Sequence, residues 1–121
     1  MSSVLVVEDS PPQRAMITAL LKDNGLEVTT ANDGVEALDQ LKDYRPDIVV
    51  MDIVMPRMNG YELCRKLKSD PNTKTVPVVM CSTKGEDFDR HWGMKQGADA
   101  YISKPFQPQE LVGTVKQLLR R

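Results

Sequence analysis

Six side chains able to do chemistry stand where short apolar runs of the chain end. They are Glu8, Asp9, Asp52, Ser82, Thr83 and Lys104. Three of the six are carboxylates, which repel one another when held close together unless a cation joins them. Hard oxygen ligands in a small site suit Mg²⁺ or Mn²⁺. The lysine would add a second positive charge on the opposite side of the carboxylates.

The apolar runs that carry these side chains alternate with helical patterns. Runs typical of strands cover 4–7, 27–31, a central apolar run ending in Asp52, 77–81 and 99–103. Helical patterns cover 11–24, 35 to near Pro46, 60–69, 88–96 and 108–119. Five strand–helix repeats predict an α/β fold with a parallel sheet and helices on both faces.

The first helix has the clearest start and stop signals. Ser10 is a good N-cap, Pro11 suits the first helical position, and Asn24-Gly25 closes the helix. Its helical spacing predicts a buried stripe made of Ala15, Met16, Ala19 and Leu20.

Bulk composition excludes several classes of protein. At 121 residues the chain is long enough for one domain, 1–121, and we expect no output domain. A formal net charge of −1 does not favour nucleic-acid binding. No apolar run approaches the roughly 18 residues of a membrane span, and no signal peptide is evident. Cys64 and Cys81 fit no metal spacing, so we expect buried thiols in a cytoplasmic protein.

The carboxyl ends of parallel strands lie at one edge of a sheet, where open α/β folds place their ligands. Alone, Asp52 could equally start a turn or cap a helix. Groups at four strand ends make a shared site the better interpretation. A cation, an ammonium and a hydroxyl around one carboxylate form a pocket for a phosphoryl group, with Asp52 as the nucleophile.

The order and spacing of these motifs resemble the receiver domain of two-component response regulators, over nearly the whole chain. The residues that carry the resemblance are Glu8-Asp9, Asp52 with Met55-Pro56 and Gly60, Ser82-Thr83, and Lys104-Pro105. The chain is most similar to stand-alone, chemotaxis-type receivers. The resemblance implies a flavodoxin-like five-stranded sheet of strand order 2-1-3-4-5.

The resemblance also implies a role for each residue. Asp52 would accept a phosphoryl group from a phosphohistidine, Lys104 would pair with its oxygens, and Ser82 would hydrogen-bond to them. Tyr101 would be an aromatic switch that moves inward as Ser82 moves. The implied Mg²⁺ ligands are Glu8, Asp9, Asp52 and the backbone carbonyl of Val54. Lys104-Pro105 would be a cis peptide.

Three positions depart from the usual receiver pattern. Glu8 replaces the usual first aspartate, and Thr83 stands where a smaller residue is common. Val54 is apolar where a polar residue often guides the hydrolytic water. With Lys84, Val54 is a position that would tune hydrolysis. We therefore expect an acyl phosphate that hydrolyses slowly.

The implied partners are a histidine kinase or phosphotransfer domain and a downstream protein target. The target would bind a surface formed by the fourth helix, fifth strand and fifth helix. The sequence from Trp92 to Gly97 is similar to receivers of pilus-driven twitching or phototaxis systems. A receiver of this kind catalyses only its own phosphorylation and dephosphorylation, so we do not expect an enzyme.

Three other functions compete with this interpretation. A metal-dependent phosphatase with an aspartyl nucleophile would resemble the form D-x-D, but Val54 occupies the second acidic position. A flavodoxin-type cofactor binder is disfavoured by the acids after the first strand, because they repel phosphate unless a metal ion intervenes. A non-phosphorylated adaptor would not need the complete set of groups found here.

Overall fold

A computed structural model describes residues 1–120, along which five strands alternate with five helices. The strands are β1 (Ser3–Val7), β2 (Glu27–Ala31), β3 (Ile48–Met51), β4 (Val78–Ser82) and β5 (Ala100–Ser103). The helices are α1 (Pro11–Asp23), α2 (Gly34–Gln40), α3 (Gly60–Ser69), α4 (Asp87–Lys95) and α5 (Pro108–Leu119). Element order and type therefore agree with the sequence pattern.

All neighbouring strands pair in parallel, in the order β2-β1-β3-β4-β5. The predicted strand order is confirmed. β1 and β3 lie side by side at the centre of the sheet, with Val7 opposite Met51. Because the strands are parallel, the residues that follow Val7 and Met51 leave the sheet at the same edge.

Alternate residues of the central strands enter two separate cores. Leu5 and Val7 pack on one face with buried residues of α2 and α3. Val4 and Val6 pack on the other face with buried residues of α1 and α5. Strands covered on both faces are continuously apolar, which is why β1 and β3 read as unbroken hydrophobic runs.

The predicted buried stripe of α1 is wrong. Ile17 and Leu21 face the core, while Ala15 and Ala19 are exposed and Met16 is 48% exposed. Leu20 is only partly buried. Ile17 and Leu21 are two large aliphatic side chains four residues apart, whereas two of the four residues in the predicted stripe are alanines, which gain little from burial, so Ile17 and Leu21 set the helix orientation.

Several element boundaries also differ from the expectation. α2 ends at Gln40, earlier than expected. After it, the backbone N–H groups of Lys42 and Asp43 donate to carbonyls three residues back, those of Asp39 and Gln40, which is the spacing of a 3₁₀ turn. β4 includes Ser82, which pairs with Ser103 of β5.

Both cysteines are free and buried. Burial raises the pKa of Cys64 to about 11 and that of Cys81 to about 12, so both thiols stay protonated. Within residues 1–120, no helix combines the length and the apolar character needed to cross a membrane.

Candidate functional site

Three carboxylates meet at the carboxyl edge of β1 and β3. Glu8, Asp9 and Asp52 each offer one oxygen, and these oxygens lie within 4.8 Å of one another. The backbone N–H of Asp52 donates to the carbonyl of Val7 at 3.0 Å, which ties the two strand ends together. Glu8 is 2% exposed, whereas Asp9 is open to solvent. The predicted acid cluster is therefore present.

The carboxylate of Asp52 is partly buried, with its side chain 13% exposed. Its Oδ1 accepts a hydrogen bond from the backbone N–H of Ile53 at 2.6 Å. Its Oδ2 lies 3.4 Å from Nζ of Lys104. One oxygen is thus fixed by the backbone and the other faces a cation.

The ammonium of Lys104 lies among the acids and not across the site from them. Its Nζ donates to Oε1 of Glu8 at 2.5 Å and also contacts Oε1 of Gln13. Burial alone would lower the pKa of Lys104, but the hydrogen bond to Glu8 and the charges of Asp52 and Glu8 outweigh it, so the pKa is raised. The surrounding acids therefore favour the charged form of Lys104.

Gln13 is the site residue that sequence reasoning missed. It lies in the first turn of α1, and neither charge nor a recognised motif marks it. Its only signal in the sequence is its place in that turn, five residues after Glu8.

Glu8 is anchored on several sides. Its Oε2 accepts from the backbone N–H of Ser10 at 3.2 Å, and its carbonyl accepts from Nη1 of Arg14 at 2.8 Å. Burial raises the pKa of Glu8, and the hydrogen bonds from Lys104 and Ser10 only partly offset this effect. A bound cation would favour the ionised form of this carboxylate.

The three acids suit a divalent metal. They supply hard oxygen ligands, one from each residue, and Asp9 leaves the cluster open to water. The resemblance of the sequence implies Mg²⁺ at this site, and Glu8, Asp9 and Asp52 would hold it here. Binding of Mn²⁺ and coordination of the metal by the backbone carbonyl of Val54 stay predictions.

Ser82 and Lys84 are joined at the end of β4. Ser82 is fully buried, and its Oγ accepts from the backbone N–H of Lys84 at 3.3 Å. The Ser82 carbonyl accepts from the backbone N–H of Lys104 at 2.8 Å. No hydrogen bond joins Ser82 to Asp52, and Thr83 is exposed. Ser82 thus borders the acid cluster through its neighbours.

Tyr101 is turned inward and is 8% exposed. Its hydroxyl donates to the carbonyl of Lys84. Burial raises the pKa of Tyr101 to about 12, which keeps the hydroxyl protonated as a donor. Gly93 of α4 makes room for the ring, because a Cβ there would lie 3.0 Å from Cδ2 of Tyr101. The inward movement implied for Tyr101 stays a prediction.

The loop after β3 approaches the site closely. A Cβ on Gly60 would lie 2.3 Å from the carbonyl oxygen of Asp52, so only glycine fits there. Val54 projects outward and is 56% exposed. The Lys104–Pro105 peptide is cis, as the resemblance implied.

Comparison of the sequence with known proteins identifies a family. The profile of the response regulator receiver domain matches residues 4–116. The chain is 37% identical over 119 residues to protein PilH of Pseudomonas aeruginosa, covering 98% of each. It is 41% identical over 118 residues to the DNA-binding response regulator MtrA of Mycolicibacterium smegmatis. That match covers 98% of this chain but 50% of MtrA, so the chain spans about half the length of several relatives.

Solved structures give the same answer. A response regulator from Chloroflexus aurantiacus superposes with a TM-score of 0.96 at 38% identity, covering 99% of this chain and 98% of the other. The chemotaxis response regulator CheY4 of Vibrio cholerae gives 0.91 at 35% identity, with 98% of each covered. The receiver domain of PA1611 from Pseudomonas aeruginosa, described with a magnesium ion coordinated in its active site cleft, gives 0.92 at 28% identity, with 99% of this chain and 98% of that one covered. The acids, the lysine and the parallel sheet thus have one explanation, and the chain belongs to the response regulator receiver domain family.

Proposed function

We propose that Asp52 accepts a phosphoryl group from the phosphohistidine of a histidine kinase or phosphotransfer domain. The observation that carries this proposal is the meeting of Asp52 with Glu8, Asp9 and Lys104 at one edge of the sheet. The buried cation of Lys104 suits the site to phosphate charge, and not to an apolar substrate, once a metal ion held by the three acids offsets their negative charge.

In the reaction, a carboxylate oxygen of Asp52 attacks phosphorus and forms an O–P bond. The N–P bond of the phosphohistidine breaks, and its electron pair returns to the imidazole. Nζ of Lys104 lies 3.4 Å from Oδ2 of Asp52. From there its ammonium can donate hydrogen bonds to the phosphoryl oxygens. A Mg²⁺ held by Glu8, Asp9 and Asp52 would neutralise the charge that accumulates on those oxygens. Later hydrolysis, which the chain would also catalyse on itself, returns phosphate and free Asp52.

Phosphorylation would change a surface formed by α4, β5 and α5, to which a downstream protein target binds. The chain of contacts from Ser82 to Lys84 and on to Tyr101 supports this direction. On α4, Phe88 is 73% exposed and Trp92 is 41% exposed, which leaves apolar area for a protein target. We also propose a cytoplasmic location for the protein.

A phosphatase acting on external substrates is disfavoured by one residue. The second position after the nucleophile is Val54, and an exposed valine cannot act as a general acid. The comparisons with MtrA and PilH support a signalling role in general. We propose no further enzymatic activity.

Intact mass spectrometry after incubation with Mg²⁺ and acetyl phosphate tests the proposal. The wild-type protein should gain one phosphoryl group, and Asp52→Asn should gain none. Asp43→Asn is the matched control, because Asp43 is an exposed acid in the turn after α2, away from the sheet edge. An adduct that persists in Asp52→Asn would show that another residue is the acceptor.

A further inference from the structure

We propose that Gln13 is a positioning residue that holds the ammonium of Lys104 beside Asp52 through its side-chain oxygen. The contact itself is a property of the unphosphorylated protein. Its effect on phosphoryl transfer rests on the function proposed above for Asp52.

The ammonium of Lys104 has three acceptors, one for each of its N–H donors. They are Oε1 of Glu8, Oε1 of Gln13 and Oδ2 of Asp52. The Lys104 side chain is 8% exposed, so water has little access to replace a lost acceptor. Loss of any acceptor would leave a buried N–H of a cation unsatisfied, which is costly. Gln13 is the only uncharged member of the three.

The start of α1 fixes where Gln13 stands. Two prolines, Pro11 and Pro12, occupy the first two helical positions and restrict the backbone there. The backbone N–H of Gln13 donates to Oγ of Ser10 at 3.5 Å, and Ser10 N donates to Glu8. The junction between β1 and α1 is therefore tied to the same carboxylate that binds Lys104.

An uncharged acceptor is the right chemistry at this position. The site already contains three carboxylates, and a fourth would raise the repulsion that an incoming phosphoryl group meets. The carboxamide of Gln13 supplies an acceptor oxygen without adding negative charge. A methionine would match its length while removing that acceptor.

The consequence for the reaction follows from the count of donors. When a phosphoryl group arrives, one N–H of Lys104 must turn from Oδ2 of Asp52 to the new oxygens. Glu8 and Gln13 keep the other two donors, so the nitrogen stays in place. Without Gln13 the ammonium is free to move toward the carboxylates, and small displacements in such a site are costly to the rate.

The experiment compares Gln13→Met, Gln13→Glu and the wild-type protein. The first measurement is the ¹⁵N NMR signal of the Lys104 ammonium. This signal is observed only when the ammonium protons exchange slowly with water. Its absence from the spectrum of Lys104→Arg assigns it to Lys104. We expect the signal in the wild type, its loss in Gln13→Met, and its retention in Gln13→Glu, which keeps an acceptor oxygen. Gln117→Met on the exposed side of α5 is the matched control and should keep it.

The second measurement is the rate of phosphorylation by acetyl phosphate at saturating Mg²⁺. Gln13→Met should be slower by roughly tenfold, and Gln13→Glu should also be slower because of its added charge. A wild-type Lys104 signal in Gln13→Met would overturn the proposal, as would a wild-type rate in that variant. If the wild-type protein is itself not phosphorylated, the proposed function fails, while the NMR comparison still decides whether Gln13 holds Lys104.

Discussion

Asp52 is held by a different kind of donor on each of its oxygens. The Ile53 N–H fixes Oδ1, while the Lys104 ammonium faces Oδ2. Neighbouring residues then decide how easily water reaches the acyl phosphate that would form here. Val54 contributes only an exposed apolar side chain at this point, 56% of it accessible. It cannot hold a water molecule by hydrogen bonding.

We expect Val54→Asn to shorten the lifetime of the phosphorylated protein several-fold, because a carboxamide can orient the attacking water. The measurement is the decay of the phosphoryl adduct by intact mass after the donor is removed. Val54→Ala is the control and should decay like the wild type. Equal half-lives in Val54→Asn and wild type would show that Val54 does not set the rate.

The elements around the site are joined by close backbone contacts and helix caps. The first turn of α3 packs on the backbone of Asp52, with the Gly60 N–H donating to the carbonyl of Ile53 at 2.8 Å. At the start of α2, Asp33 caps the helix through the N–H of Glu36 at 2.8 Å. Arg57, at a positive φ of 68°, donates to the same Asp33 carboxylate at 2.7 and 2.9 Å. The loop after β3 is thus fixed to two helices.

Gly60→Ala should destabilise the protein by about 1–3 kcal/mol, because its Cβ would meet the Asp52 carbonyl and push α3 away. Urea unfolding measures this change in the free energy of unfolding. Gly113→Ala is the matched control, since nothing lies within 4 Å of a Cβ at this position in α5. It should stabilise the protein by about 0.5–1 kcal/mol. An equal effect of both substitutions would show that the approach to Asp52 is not tight.

Asp33 makes the stability of the fold depend on pH. The Glu36 N–H, and after it Arg57, lower the pKa of Asp33 below its usual 3.8, although burial opposes them. A lowered pKa stabilises the fold above the unfolded value, and this stabilisation is lost as the pH falls through the folded value. Asp33→Asn keeps a capping oxygen but loses the charge paired with Arg57.

The Asp33→Asn variant should therefore be less stable than the wild type at about pH 7 by about 0.2–1 kcal/mol, since Arg57 is largely exposed. The difference should shrink as the pH falls below the unfolded pKa of Asp33, and urea unfolding at several pH values measures it. A difference that does not change with pH would mean that the Arg57–Asp33 ion pair contributes nothing.

At the scale of the whole molecule, contacts run from the sheet edge to α4. Ser82 accepts from the Lys84 N–H, Tyr101 donates to the Lys84 carbonyl, and the Tyr101 ring lies against Gly93. Trp92, next to Gly93, is the only tryptophan of the chain. A rearrangement at the site therefore has a spectroscopic reporter on the proposed target surface.

We expect the fluorescence of Trp92 to change when beryllofluoride and Mg²⁺ are added as a phosphoryl mimic. Asp52→Asn should show no change, because the mimic has no carboxylate to bind. Tyr101→Phe should show a smaller change, because it loses the hydrogen bond to Lys84. A full response in Tyr101→Phe would place the coupling on another route.

The fold and the acid cluster were predictable because both follow from the order of apolar runs and from the residues at their ends, which can be identified without knowing side-chain geometry. Apolar runs ending in Asp52 and Lys104 fix strands and their shared edge. The Gln13 contact could not be predicted, because a neutral residue in a helix carries no charge pattern. The buried stripe of α1 was missed for a related reason, since Ile17 and Leu21 gain their orientation from packing on β1 and α5.

The contact between Glu8 and Lys104 joins residues 96 positions apart in the chain. Such a separation makes loop closure slow relative to local contacts. On the ribosome, Glu8 and Asp9 emerge with β1 well before β5, so these acids stay without Lys104 until the growing chain has passed that residue. A nascent or partly unfolded chain therefore lacks a complete site, and the acids meet the lysine only in the folded protein.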